Sequence, residues 1–397
     1  MRILLAFSGG LDTSWILARL AAAGHEVHSL TVDCGGLEPG EDRVLEERAL
    51  ALGAADHRLV DARRELWERV LRWLLAGNVL RGGRYPLCVG AERGLQARAL
   101  ARHGLEGGFD AVAHGCTGAG NDQIRFEAAL HACAPGLRVL APVREEAPSR
   151  AVQRAWLEER GLPLPPSGGR YSVNRGLWGL TLGGGELDGT TEPLPEEAWI
   201  WTRGAGGPAR RARLGFEAGV PVAWNGRRHA PVALIERLNR ELGALGIGRG
   251  YHLGDTLLGI KGRIAFEAPA ACALIEAHRE LEKLVLTEEQ RFWKDHLAEV
   301  YGQRVHQGLD FDPFQRDVEA LMASTQERVT GEVVLELAPG RVEVSGVASP
   351  WSLHAASAAR YGEVPVPDTD ARGYATLARV LAEPARLHAR AGEGTPC

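Results

Sequence analysis

Apolar positions along the chain follow two rhythms. Ile3-Leu4-Leu5-Ala6-Phe7 is a short unbroken run, as in a buried strand, and Trp15, Ile16, Leu20 and Ala21 then recur at helical spacing. The same reading predicts a second strand over Glu26 to Val32, a helix near Arg43 to Leu52 and a third strand over His57 to Ala62. Ala111 to His114 and Arg138 to Pro142 complete the set. Strands alternating with helices at this spacing indicate an α/β fold, a parallel sheet with helices on both faces. Such sheets bind ligands beyond the carboxyl ends of their strands.

The rhythm changes at "GLPLPPSGGR", Gly161 to Arg170, where prolines and glycines crowd together as they do in linkers. An irregular glycine-rich section is expected from there to about Gly219, then a helix within Ala230 to Leu242 and a long helical segment within Ala270 to Tyr301. "EVVLELAPGRVEVSG" reads as a hairpin turning at Pro339-Gly340. A helical pattern near Tyr374 to Leu381 suggests a terminal arm. The expected division is an α/β domain over 1–165, an α+β domain over 166–365 and a C-terminal helical arm over 366–397.

Composition adds exclusions. The 397 residues exceed one ordinary core, and 45% apolar with 24% charged residues is usual for globular proteins. Formal net charge is −5 with both signs mixed along the chain, so no chain-wide electrostatic case exists for nucleic acid. The six cysteines form no CxxC pair or metal-ligand cluster and are read as reduced thiols, and no metal-ligating side chains are expected. No signal-peptide pattern opens the chain and no apolar run approaches the ~20 residues of a bilayer span, so a cytoplasmic protein without membrane partners is expected.

The sharpest local feature is "LLAFSGGLDTS" from Leu4 to Ser14. A Gly-Gly turn between strand and helix lets backbone N–H groups approach an anion, and the helix N-terminus adds partial positive charge. Ser8, Thr13 and Ser14 add hydroxyls, and Asp12 offers a helix cap. The stretch lacks the Gly-Lys-Ser/Thr of a Walker A loop and the GxGxxG of dinucleotide folds. Spacing alone leaves two readings open, a phosphate site or simply a capped helix after a tight turn.

"SGGLDTS" also resembles the PP-loop of ATP pyrophosphatases, enzymes that adenylate a substrate, and its "LDTS" ending is similar to the argininosuccinate synthase family. "AHGCTGAGNDQIRFE" (Ala113 to Glu127), "YSVNRGLWG" (Tyr171 to Gly179), "GRGYHLGDTLLGIKGR" (Gly248 to Arg263) with the following "FEAP", and "SLH" at Ser352 extend the resemblance in order along the chain. It implies a PP-loop nucleotide-binding domain, a synthetase domain and an arm that crosses between subunits of a homotetramer. It also implies a ligase that uses ATP and Mg2+ to join citrulline to aspartate through citrullyl-AMP. Phosphoryl transfer of this kind depends on positioning and charge neutralisation, which fits a chain without an evident nucleophile set.

By that resemblance Ala6, Phe7, Ser8, Gly9, Gly10, Leu11, Asp12, Thr13 and Ser14 hold ATP, together with Val32 and Gly115. Thr117, Asn121 and Asp122 match the aspartate site. Tyr85, Arg93, Asn121, Arg125, Ser172, Thr181 and Asp255 match or stand near acceptor positions, with Arg125 suited to a forked grip on a carboxylate. Asp12 and Arg125 are implied as catalytic. Several positions depart from the family pattern. Val89 and Gly90 replace a Thr-Ser pair, Gly254 aligns with a citrulline-binding Glu, Phe266 replaces a Tyr, and Ala119 replaces a Lys. All of these but Ala119 fall in the acceptor pocket, so a paralogue that condenses aspartate with another acceptor is the second reading and a non-catalytic ATP-binding relative the third. An enzyme adenylating an RNA base would be expected to carry reactive cysteine pairs or a basic extension, and neither is present. Arg210, Arg211 and Arg213 are expected to be a solvated loop run, and Trp67, Trp73 and Trp156 core residues.

Overall fold

The computed structural model describes residues 1–118, 120–166, 169–204, 206–357 and 371–392. Ile3 and Leu5 of β1 (Arg2–Ala6) face one core with Leu11, Trp15 and Ile16, while Leu4 faces another with Leu100, Val112 and Phe126. Burial on both faces explains why the run is unbroken rather than alternating. With β2 (Glu26–Asp33), β3 (Asp56–Asp61), β4 (Ala111–Ala113) and β5 (Arg138–Leu140) it forms a parallel sheet of order β3-β2-β1-β4-β5. The strand order reverses between β1 and β4, which pair directly through Ile3 with Ala111 and Leu5 with Ala113. This is the topological switch point at which open α/β sheets bind ligands.

The later half is built on two antiparallel sheets. β6 (Ser172–Gly176), β7 (Gly179–Gly183), β11 (Arg249–Asp255) and β12 (Lys261–Glu267) form one, in the order β11-β12-β7-β6. β8 (Arg210–Glu217), β9 (Val220–Trp224), β10 (Arg227–Arg228), β13 (Gly331–Ala338) and β14 (Arg341–Ala348) form the other, in the order β10-β9-β8-β13-β14. The expected hairpin is β13 and β14, with Gly340 at φ 72° in its turn.

Four expectations are corrected here. The section before Gly219 is not simply irregular, since it contributes β6, β7 and β8. Arg210, Arg211 and Arg213 lie on β8, where Arg211 and Arg213 pair with Glu336 and Glu332 across the ladder to β13. Alternation with buried Ala212 and Leu214 marked a strand that the run of arginines concealed. The long helical segment is two helices, Pro269–Val285 and Glu288–Gln307, divided where Thr287 forms a capping box with Gln290. Trp67 is buried as expected, whereas Trp73 and Trp156 are half-buried at the edges of cores.

At the junction of those helices Glu282 is fully enclosed and accepts hydrogen bonds from Lys294 Nζ (2.7 Å), Asn78 Nδ2 (2.5 Å) and Gln326 Nε2 (2.7 Å). A buried charge needs such partners.

Residues 1–351 form one compact unit. A second begins at Ser352; its described elements are Leu353–Ala356 and the helix Ala371–Gly392, which contains Pro384 and carries exposed Leu377, Val380, Leu381 and Leu387. Ser167 and Gly168 of the expected linker, Ala119, Cys397 and the first residues of the expected arm lie outside the described residues. Among the described residues Cys34, Cys88, Cys116, Cys133 and Cys272 are free thiols, and no helix is long and apolar enough to cross a membrane.

Candidate functional site

The glycine loop follows β1 and the Ala113–Glu127 motif runs out of β4, so pairing of those strands brings the two motifs together. Thr31 Oγ1 donates to the Phe7 carbonyl at 2.6 Å, and the chain leaves the sheet at Ser8. Gly9 adopts φ 71°, and a Cβ there would stand 2.3 Å from Leu45 Cδ2, so glycine is required on both counts. Arg48 Nη1 holds the Gly9 carbonyl at 2.8 Å. Gly10 is the N-cap of the helix Leu11–Ala22 and offers no capping side chain. Asp12 is therefore not the cap that the sequence suggested; it sits in the first turn, and its Oδ1 accepts from Gln153 Nε2 at 2.8 Å. The first N–H groups of that helix are left to a ligand or water. Ser8 Oγ and Thr13 Oγ1 lie 3.3 Å apart beside them.

The loop after β4 presses against this turn, since a Cβ on Gly115 would meet Thr13 Cγ2 at 2.8 Å. His114 is buried, its Nδ1 accepts from the Cys116 amide at 3.3 Å, and burial lowers its pKa. Burial pushes the Cys116 thiol up to about 12, which keeps it protonated and agrees with assigning it no chemistry. Asn121 Oδ1 accepts from the Leu257 amide at 2.8 Å, and this bond holds the β11–β12 connection over the motif.

Asp122 joins the arginines of the site. Its Oδ2 accepts from Arg93 Nε at 3.0 Å and its Oδ1 from Arg125 Nη1 at 2.8 Å. Burial alone would raise its pKa, but Arg93 and Arg125 outweigh that and hold the carboxyl below its usual range. Arg93 Nη2 also reaches Asn174 Oδ1 on β6 at 3.1 Å. Arg125 is nearly enclosed, with Nε donating to the His306 carbonyl at 2.8 Å.

These residues converge on one cavity of about 860 Å3. Ala6, Phe7, Ser8, Gly10, Asp12 and Thr13 line it from the glycine loop, with Val32 and Gly115 beside them. Thr117, Asn121 and Asp122 continue the wall into Tyr85, Arg93 and Arg125, and Ser172, Thr181 and Asp255 close it from the antiparallel sheet. Gly9, Leu11 and Ser14 are not part of the lining; Leu11 belongs to the core and Ser14 is fully enclosed. The Tyr85 hydroxyl donates to the Cys88 carbonyl at 2.6 Å, which leaves it an acceptor toward the cavity. The Asp255 carboxylate pairs with Lys261 Nζ at 2.6 Å.

Several residues at or behind this wall escaped sequence reasoning. Arg81, His252 and His306 line the cavity, and Gln153 reaches Asp12 from behind. Arg81 sits in "LRGGRY" next to the recognised Tyr85, a signal that proximity alone offered. His306 and Gln153 come from helices far along the chain, and no local pattern marks them.

The chain matches two family models, described as the Arginosuccinate synthase N-terminal HUP domain over residues 2–163 and the Arginosuccinate synthase C-terminal domain over residues 171–383. It is 37% identical over 373 residues to the argininosuccinate synthase of Methanocaldococcus jannaschii, with 93% of this chain and 94% of that protein covered. The enzymes of that name from Xanthomonas campestris and Metallosphaera sedula are each 38% identical, covering 90% and 94% of this chain and 91% and 96% of their own. With the parallel sheet, the paired motif loops and matches along nearly its whole length, this chain belongs to the argininosuccinate synthase family.

Proposed function

We propose that this protein is the ATP-dependent ligase that joins citrulline to aspartate, giving argininosuccinate, AMP and pyrophosphate in arginine biosynthesis. The observation that carries the reading is the meeting of both motif loops at the β1–β4 switch point, on the single cavity that also holds Arg93, Asp122 and Arg125. In the first step the citrulline ureido oxygen attacks the α-phosphorus of ATP, an O–P bond forms, and pyrophosphate leaves. In the second, the aspartate amine attacks the activated ureido carbon, AMP leaves with the C–O bond electrons, and the nitrogen gives up a proton.

The residues supply position and charge. The backbone N–H groups after Gly9 face the nucleotide phosphates, Ser8 and Thr13 add hydroxyls, and Ala6, Phe7 and Val32 form the wall beside the nucleotide. Gly115 keeps the second loop close. Thr117 and Asn121 suit the aspartate carboxylates and Asp122 its ammonium. Tyr85, Arg93, Arg125, Ser172 and Thr181 face the acceptor. Asp12 and Arg125 lie where charge develops, and each is held by a partner, Gln153 and Asp122. No group of three or more His, Cys, Asp or Glu side chains placed to hold a metal occurs among the described residues. That fits Mg2+ entering with the ATP phosphates, since this ion commonly keeps most of its ligands as water and phosphate oxygens.

The exposed apolar positions of Ala371–Gly392 suit a homotetramer in which this arm packs on a neighbouring subunit. A cytoplasmic location and a division near residue 165 complete the reading. A second reading, a paralogue with a different acceptor, is favoured by Gly254, whose place is covered by the His252 ring, so that a longer side chain there would have to displace that ring. Pyrophosphate release from ATP with aspartate and Mg2+, measured with and without citrulline while argininosuccinate is followed by mass spectrometry, tests both. Citrulline-dependent release with argininosuccinate formed supports the ligase, and release that ignores citrulline moves the search to another acceptor.

A further inference from the structure

His306 stands between two guanidinium groups. Arg81 Nη1 lies 2.7 Å from its Nε2, and Arg125 Nη2 lies 3.1 Å from its Nδ1. Burial, with Arg125 and Arg81 adding to it, pushes the pKa of His306 down to about 3, so the ring is neutral at any working pH. A neutral imidazole has one lone pair and one N–H, while guanidinium nitrogens only donate. Whichever tautomer forms, one arginine N–H faces a ring N–H. The ring therefore accepts from only one of the two arginines at the wall of the cavity, while the Asp255 backbone carbonyl takes Arg81 Nη2 and the ring's own N–H.

Charge points the same way. Asp122 is shared between Arg93 and Arg125, so one carboxylate answers two guanidiniums. Arg81 ion-pairs with no carboxylate among the described residues; its Nη2 donates to the Asp255 backbone carbonyl at 2.8 Å, while the Asp255 side chain is taken by Lys261. Glu92, also on the wall, is buried with its carboxylate turned against Gly176 and the Leu177 backbone, and burial raises its pKa well above the usual range. The His252 ring stacks on Tyr85 with centroids 5.1 Å apart and covers Gly254. This end of the cavity has donors and positive charge in surplus, and it has no free carboxylate for an ammonium.

We infer that Arg81, His306 and Arg125 form a carboxylate clamp for the acceptor, and that the site reads the acceptor's carboxylate without reading its α-amine. The acceptor class is therefore ureido acids with a free carboxylate, whether the α-amine is present, acylated or absent. An incoming carboxylate oxygen takes the guanidinium N–H that His306 cannot accept, and His306 holds the two arginines apart as a positioning residue. This rests on the ligase reading above.

The test is a panel of four acceptors with the full-length protein, ATP, Mg2+ and aspartate: citrulline, Nα-acetylcitrulline, 5-ureidopentanoate and citrullinamide. Pyrophosphate release is expected with the first three at kcat/KM within about 5-fold of one another, and at least about 100-fold lower with citrullinamide, the scale of a lost charge-assisted pair in a buried site. Arg81→Gln is expected to raise the acceptor KM about 10-fold or more while the KM values for ATP and aspartate, which also report that the variant is folded, stay unchanged. Arg81→Lys should recover part of that loss. Activity with citrulline alone of the first three overturns the clamp and leaves the ligase standing, as does an Arg81→Gln enzyme with an unchanged acceptor KM. Silence with all four compounds overturns the ligase reading and the clamp together.

Discussion

Gln153 Nε2 donates to Asp12 Oδ1 at 2.8 Å, and this bond ties the first turn after the glycine loop to the helix Arg150–Glu158. The two residues are 141 positions apart. Gln153 is almost fully buried, so its removal both frees Asp12 and leaves a small void. Gln153→Ala is expected to cost about 1–3 kcal/mol of stability and to raise the KM for ATP several-fold while leaving the KM for citrulline unchanged. Thermal unfolding together with steady-state kinetics reads both.

Gly9→Ala combines a left-handed backbone with a Cβ only 2.3 Å from Leu45 Cδ2. Alanine is strained at this positive φ, and relief of that strain, together with displacement of the Leu45 methyl, disturbs the backbone N–H groups of the loop. ATP binding, followed by calorimetry, is expected to weaken by about 10-fold or more, as a displaced set of preorganised donors would dictate.

Asp122→Asn leaves Arg93 and Arg125 without their shared negative charge. The side chain keeps its shape, so the fold should survive. A drop in kcat/KM for aspartate of about 100-fold or more is expected, the scale of a lost charged hydrogen bond in a protected site. Kinetics at saturating ATP and citrulline measure it, and an unchanged value would remove Asp122 from the proposed aspartate site.

Glu282→Ala strands the buried Lys294 ammonium, which keeps only the Ala76 carbonyl and Asp295. Breaking a buried pair from one side costs about 3–5 kcal/mol, whereas replacing both members by apolar groups can be nearly neutral. Chemical denaturation should show Glu282→Leu with Lys294→Met to be more stable than Glu282→Ala.

Acid should weaken the fold through its buried histidines. Burial lowers the folded-state pKa of His57, His114 and His278, and brings His306 to about 3 from an ordinary 6.5. Between those two values the unfolded chain binds protons that the folded chain refuses, so stability falls as pH drops below 6.5. Each such group contributes up to about 1.4 kcal/mol per pH unit within its window. Urea midpoints from pH 7.5 to 5 check the direction, and His306→Asn should flatten the slope.

The parallel sheet and its glycine loop were legible because they rest on local rules: an unbroken apolar run, a Gly-Gly turn, a helical repeat. The acceptor end was less so. Tyr85 and Arg125 stood out through motif resemblance, but Arg81, His252 and His306 meet only after β11, β12 and the helix Glu288–Gln307 fold onto the parallel-sheet part, and no single stretch encodes that meeting. The cap of the first helix was misread for a related reason. An Asp near a helix start is usually a cap by composition, and only the tertiary bond to Gln153 shows it serving another end. β8 was missed because three arginines outweighed the alternation beneath them.

The direct pairing of β1 with β4 has a mechanical side. The seam between these strands is short, just three residue pairs, and each strand delivers one loop to the cavity. A ligand that touches both loops is a rivet across that seam, so occupancy and cohesion of the sheet rise together. The distance between the two motifs in the chain then becomes immaterial, because the jaws are set by two neighbouring strands and locked by what they hold.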